Sequence, residues 1–462
     1  MRRRVLHRGG VIGALLAALL ASSLLAPLAA AQPAGPAAAP QGAAPISATS
    51  APSGPVTAFV QRAGTRFVVA ARGANGTSAA DSCETFNFAG WNTFFLMVRA
   101  ADPKSRCEVL EVLDKAAALG LTVLRTWAFS DGAQQWRALQ RSPGVYDENT
   151  FAGLDFVVHQ ASLRGIRVLL AFGNYWQHYG GVDQYNVWSF EAGRGRCNGQ
   201  FACRDAFFSD AYARQLYKAH IRALLTRVNA FSGLQYRDDP VRAPVMDIAS
   251  LPACVDSRAL SISLLQAVFG WDLMNEPRST ADLYVQQRRA ATGPVYNITF
   301  NSGDALQSWI TDMASYVKSM DPVHLLTIGS EGFFGPSSPL FLYANPGPWA
   351  ALEGVDFVRN HRVPGIDFAA MHLYVDQWLC TERGATREGQ LGFFRDWIDA
   401  HMQAAEEELQ MPMIMEEFGA KLPARYDIYK AAYEAFAASA RRGGGGGGIL
   451  FWCVCSCFLG AG

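Results

Sequence analysis

The sequence predicts an α/β protein built as a (β/α)8 TIM barrel, on three observations. From about residue 85, eight short apolar runs alternate with amphipathic helical stretches. Most of those runs end in polar or ionisable side chains, as barrel strands do where chemistry gathers at their C-terminal ends. The 462 residues, 50% hydrophobic and 12% aromatic, are ample for a large core. A doubly wound open sheet is the competing architecture.

The candidate strands are 88–98 ("FAGWNTFFLMV"), 121–129 ("LTVLRTWAF"), 167–174 ("RVLLAFGN"), 267–277 ("AVFGWDLMNEP"), 325–332 ("LLTIGSEG"), 367–374 ("DFAAMHLY"), 412–419 ("PMIMEEFG") and 449–453 ("ILFWC"). Between them the helices are legible. Asp102 before Pro103 reads as an N-cap with proline at the first helical position, and Val109, Val112, Leu113 and Ala116 follow at helical spacing. Leu306, Trp309, Ile310, Met313 and Val317 make a second stripe; Phe394, Trp397, Ile398, His401 and Ala405 make a third. His401 on that apolar stripe reads as a packed histidine, not a ligand.

The chain start reads differently. Arg2, Arg3 and Arg4, the apolar stretch Val11–Leu25, the break at Pro27 and the small residues Ala29–Ala31 have the order of a signal peptide over residues 1–31. The apolar run is short for a membrane span. Residues 32–57 are rich in Ala, Pro, Ser and Gly, a linker composition that cannot pack a core. The catalytic domain is then 58–462, and the expected location is extracellular. Nine cysteines, an odd number, permit disulfides in such a chain without fixing their pairing, and Asn75 and Asn297 lie in glycosylation sequons. Forty basic residues balance forty acidic ones, so nothing favours a nucleic-acid partner.

The strand ends carry the chemistry. They offer Arg125, Asn174, Asn275-Glu276, Glu331, His372 with Tyr374, Glu416-Glu417, and Trp452. Strand alternation puts His372 and Tyr374 on one face, groups Glu417 with Met413 and Met415, and leaves Glu416 on the other face with Ile414. Taken singly, each is more simply a satisfied buried polar group. Taken together at one rim, they suit glycoside cleavage, which needs one protonated and one ionised carboxyl group. An arginine nearby favours the ionised form of one, and a less polar setting raises the pKa of the other.

The strings "GLTVLRTWAFSDG", "ALQRSPGVYDE", "LDFVV", "YGGVDQYNVW", "WDLMNEPR", "MHLYVDQW" and "EEFG" resemble the plant-type endo-β-1,4-mannanases of glycoside hydrolase family 5, with gaps, from about residue 85 to 452. The resemblance implies a (β/α)8 barrel and a retaining mechanism on β-mannan, with Glu276 as acid/base and Glu417 as nucleophile. It selects Glu417 over Glu416 by the Glu-Phe-Gly pattern. It implies that Asn275 binds the sugar 2-hydroxyl, that Arg125, His372 and Tyr374 hold and tune the nucleophile, and that Trp452 is an aromatic platform. Trp127 and Asn174 complete the expected substrate-binding set, while Glu331 and Trp378 match the pattern less closely. No metal or organic cofactor is implied, no membrane contact after signal cleavage, and a monomer is expected.

Two departures stand out. Residues 241–266 interrupt the approach to the fourth strand, where the family passes almost directly; they read as a surface loop or, preferably, as translated intron sequence. The tail 453–462 supplies no helix after the eighth strand and carries Cys453, Cys455 and Cys457 in alternation. A β-1,4-glucanase of the same family, or a non-catalytic carbohydrate-binding protein with a damaged barrel, are the competing functions.

Overall fold

Three antiparallel strands, β1 (Val60–Ala63), β2 (Arg66–Arg72) and β3 (Ser78–Thr85), lead into β4 (Phe88–Asn92) and β5 (Val123–Trp127). A small hairpin follows, β6 (Gln140–Ser142) with β7 (Val145–Tyr146), and then β8 (Arg167–Ala171), β9 (Val268–Asp272), β10 (Leu325–Thr327), β11 (Ala369–Leu373), β12 (Met413–Phe418) and β13 (Gly446–Phe451). The computed structural model describes residues 56, 59–72, 78–237, 267–282, 301–379, 384, 386–421 and 424–453. The expected signal peptide, the linker apart from Val56, both sequons, the insert 241–266 and the tail beyond Cys453 lie outside the described residues.

The eight predicted strands pair in parallel in the order β10-β9-β8-β5-β4-β13-β12-β11, a nearly closed barrel. At the seam between β10 and β11 the ladder is replaced by local bonds. Asp367 N–H donates to Leu326 O and Leu326 N–H to the Asp367 carboxylate, both at 2.8 Å, and the Thr327 hydroxyl donates to Phe368 O at 3.0 Å. Among the described residues no helix follows β13.

Two apolar layers hold the barrel. Inside lie Val123, Leu169, Phe269, Leu325, Phe368, Ala370, Ile414 and Leu450. Outside, the predicted stripes pack on the strands: Trp309, Ile310 and Met313 from the helix Asp304–Met320, and Trp397 and Ile398 from Arg387–Gln403, are sealed from solvent. Asp210 caps the helix Ala211–Leu225 by accepting from the N–H groups of Tyr212 and Ala213. Asp102 caps a short turn, Pro103–Ser105, that leads into the helix Arg106–Ala118.

The leading three-stranded sheet has no counterpart in the sequence reading. Its Phe67 enters the barrel floor, with ring centroids 5.4 Å from both Phe269 and Phe368. Packing at this floor explains the glycines at the start of β13. A Cβ on Gly447 would stand 2.5 Å from Phe67, and one on Gly448 2.3 Å from Phe88. The last three glycines of the run are therefore packed strand, and β13 begins at Gly446 instead of the expected residue 449.

The expected strand over 88–98 also needs correction. It stops at Asn92, whose side-chain amide donates to Glu416 O at 2.9 Å and Phe451 O at 3.3 Å. Leu96–Ala100 is a short helix whose apolar residues pack outside the barrel, not in the sheet.

Candidate active site at the C-terminal strand ends

Arg125, fully buried on β5, is the hub. Its Nε and Nη2 donate to Asp272 Oδ2 at 3.0 and 2.7 Å, Nη2 to Asn275 Oδ1 at 2.9 Å, and Nη1 to Glu417 Oε1 at 2.5 Å. Asn92 Oδ1 accepts from Nη1 at 3.3 Å, and Glu416 Oε1 stands 3.4 Å from Nε. Tyr374 donates its hydroxyl to the second oxygen of Glu417 at 2.6 Å. His372 bridges the set: Nδ1 lies 2.8 Å from Glu276 Oε1 and 3.7 Å from Glu417 Oε2, while Nε2 lies 3.2 Å from Glu416. One carboxylate oxygen of Glu276, one of Glu417 and a ring nitrogen of His372 all fall within 4.8 Å of one another.

Strand alternation alone does not give this arrangement. Along β12, Met371 of β11 pairs with Met415, but His372 pairs with Glu417, so Glu416 is an extra residue. The same bulge appears against β13, where Met415 pairs with Ile449 and Phe418 with Phe451. A bulge sends both residues to one side of the sheet. Glu416 and Glu417 both reach Arg125, whereas Met413 and Met415 pack outward under the helices. The expected grouping of Glu417 with the two methionines is overturned.

Glu276 follows β9 with φ at +51°. A non-glycine residue held there stores strain of about 1–3 kcal/mol, repaid by the surrounding structure. Its N–H is fixed on Gly329 O at 2.8 Å, and its carboxylate reaches His372 on one oxygen and the Trp176 indole N–H, at 2.6 Å, on the other. Unlike Asp272 and Glu416, its side chain keeps 14% exposure and opens on the cleft.

Four acids, Asp272, Glu276, Glu416 and Glu417, surround two cations, Arg125 and His372. Two protons must therefore be shared for the buried group to be neutral. Burial and Glu416 push Asp272 up to about 7 against the pull of Arg125. Burial pushes Glu417 above the usual range, and His372 and Arg125 only partly offset it. Burial also acts on Glu276 and Glu416, but there it is outweighed, by His372 at Glu276 and by Arg125 and His372 at Glu416, so both lie low. Burial pulls His372 down, yet Glu417, Glu276 and Glu416 raise it well above its ordinary value.

The remaining expected residues divide into two groups. Asn275 keeps one amide hydrogen after Nδ2 donates to Asn174 Oδ1 at 3.0 Å. Asn174 itself is 2% exposed; its Oδ1 accepts from Asn275 and from the Trp176 N–H, and its Nδ2 donates to His178 O. Arg125 and His372 are likewise sealed. These three side chains lie behind the two glutamates. Trp452 forms an aromatic wall with Phe94, stacked at 5.7 Å; Trp127 lies 4.9 Å beyond Phe94 and 5.2 Å from Tyr179. Glu331 is gripped by both Nε and Nη2 of Arg278 at 2.5 and 2.6 Å, and Trp378 packs against Phe333 and Trp397. Sequence reasoning missed Asn92, Asp272 and Trp176 as site residues. Asp272 stood inside the "WDLMNEPR" string, as a carboxylate in an otherwise apolar strand.

A nearly closed parallel barrel with paired glutamates, a buried arginine and an aromatic wall at its C-terminal rim defines the class: a (β/α)8 protein with a glycoside-hydrolase-type site. The profile described as "GH family 5 beta-mannosidase-like" matches residues 66–259 and 266–455, and the chain belongs to that family. It is 39% identical over 385 residues to rice mannan endo-1,4-beta-mannosidase 8, covering 82% of this chain and 89% of that one. It is 38% identical over 370 residues to Arabidopsis thaliana mannan endo-1,4-beta-mannosidase 7, covering 79% and 73%. A longer rice relative is 44% identical over 374 residues, and the chain spans 65% of its length. Among solved structures, an endo-1,4-beta-D-mannanase from Thermotoga petrophila superposes with a TM-score of 0.60 at 28% identity, covering 80% of this chain and 88% of that one.

Proposed function

We propose that the protein is an endo-β-1,4-mannanase that hydrolyses internal bonds of mannan, glucomannan or galactomannan with retention of configuration. One observation carries the mechanism: oxygens of Glu276 and Glu417 approach within 4.8 Å. Retaining enzymes hold their carboxyl groups about 5–5.5 Å apart, whereas inverting ones need about 6.5–9.5 Å for a water. The named relatives support the substrate.

Glu417, oriented by Arg125 and Tyr374, attacks the anomeric carbon while Glu276 protonates the leaving oxygen. Attack requires Glu417 ionised and Glu276 protonated, whereas in the ligand-free site burial raises the Glu417 carboxyl and His372 lowers that of Glu276. The two carboxyls titrate together with His372 between them. A sugar seated over Glu276 removes water from it and favours its neutral form, which moves the shared proton onto it. Once Glu417 is esterified its negative charge is gone, Glu276 becomes more acidic, and it then activates water as a base. The spare N–H of Asn275 is available to the 2-hydroxyl, and Trp452 offers a ring face to the sugar. The disulfide Cys197–Cys203 and the basic-then-apolar chain start support action outside the cell.

The test is hydrolysis of mannan, glucomannan and carboxymethylcellulose side by side. Internal cleavage of mannan is expected, with β-anomers appearing first by proton NMR. Activity on carboxymethylcellulose alone would assign the site to glucan.

A further inference from the structure

The loop after β8 carries Trp176, whose half-buried ring lies beside Glu276. Its N–H is the unambiguous donor to Glu276, since the role of His372 on the other oxygen depends on its protonation. The indole is itself gripped. The Arg204 guanidinium carbon lies 5.8 Å from its ring centroid and that of Arg278 lies 5.2 Å away. Arg204 is 3% exposed and forked onto Asp183, with Nε–Oδ1 at 2.8 Å and Nη2–Oδ2 at 2.6 Å. The next residue, Asp205, ties two loops together. It accepts from the Tyr175 hydroxyl at 2.9 Å and from the N–H and hydroxyl of Thr280 at 2.6 Å each. Tyr175 adjoins Trp176, and Thr280 lies four residues after Glu276. The segment Phe201–Phe208 that bears both residues begins inside the Cys197–Cys203 loop.

We propose that Trp176 is a positioning residue for Glu276, fixing the acid/base carboxyl through its indole N–H, and that Arg204 and Asp205 hold the indole in place. The inference rests on the reading of Glu276 as acid/base. Contacts on separate oxygens, from Trp176 and His372, leave the carboxyl little freedom to rotate, so its remaining lone pairs stay directed to the cleft. Donation to the carboxylate also favours the ionised form, so removing it makes Glu276 a weaker acid.

The experiment uses the full chain with Trp176→Phe, which keeps an apolar ring and deletes the donor, and Arg204→Gln, which keeps Trp176 and loosens its support. The kcat of Trp176→Phe on mannan is expected to fall about tenfold. The alkaline limb of kcat/KM should move up by about one pH unit. Arg204→Gln should move the limb in the same direction by less. Dinitrophenyl mannooligosaccharides, which need little protonation, should lose much less activity in both. Melting temperatures separate these effects from loss of fold, and a merely structural role would lower kcat without moving the limb. Glu276→Gln is measured alongside. Full turnover of mannan by Glu276→Gln would remove the acid/base reading itself. Loss of turnover there, with an unmoved alkaline limb in both folded variants, would overturn the role of Trp176 alone.

Discussion

Glu416 and Glu417 are neighbours on one strand, yet both carboxylates reach the same guanidinium, Arg125, because β12 bulges between them. Their surroundings differ. Glu416 is fully sealed, and Glu417 retains 4% side-chain exposure beneath the cleft, where Tyr374 donates to it.

A mechanism-based 2-deoxy-2-fluoro mannosyl fluoride should therefore label Glu417 and leave Glu416 unmodified, as read by peptide mass spectrometry. Glu416→Gln should still trap the label, more slowly. Labelling on Glu416 would contradict the assignment.

Arg125→Ala should damage folding as well as catalysis. The buried guanidinium serves Asp272, Glu416 and Glu417 together. Stranding such partners costs about 3–5 kcal/mol. Urea unfolding at neutral pH measures it. Arg125→Lys keeps the charge but cannot fork to the same oxygens, so it should recover stability more than kcat. An unchanged unfolding midpoint for Arg125→Ala would refute the hub.

His361 gives the stability a defined pH dependence. Its Nδ1–H donates to Phe357 O at 2.7 Å, and its Nε2 accepts from the Ala370 N–H at 3.2 Å, so both nitrogens are satisfied only in the neutral ring. Burial pulls its pKa down to about 4. The folded value lies below the unfolded one, so between about pH 6.5 and pH 4 the unfolded chain binds more protons. Stability should fall as pH drops through that window, by about 3 kcal/mol in total from this group. His361→Leu should flatten the slope of unfolding free energy against pH there, whatever its effect at neutral pH. An unaltered slope would show that His361 does not titrate in this way.

Much of this was legible in the sequence, for identifiable reasons. The strands are short, fully buried apolar runs, and the helices carry clean stripes such as Trp309–Ile310–Met313, so order and class follow from periodicity. Strand-end glutamates are conspicuous because charge after an apolar run needs a reason. The bulge at Glu416 has no sequence signature, so simple alternation misassigned the face of Glu417. The strand was expected to start at 449 because the demand for glycine at 447 and 448 comes from Phe67 and Phe88, far away in sequence. Trp176 was passed over because an aromatic residue after a strand more often packs than tunes a carboxyl group.

The most direct measurement concerns product anomers formed with azide by two variants. Glu276→Ala lacks the base but keeps the nucleophile, so a dinitrophenyl mannooligosaccharide should form the covalent intermediate, and azide should release it as the β-mannosyl azide. Glu417→Ala lacks the nucleophile, so azide can attack only from the opposite face and give the α-azide. The account predicts that pairing. A β-azide from Glu417→Ala and none from Glu276→Ala would mean that the roles of the two glutamates are reversed.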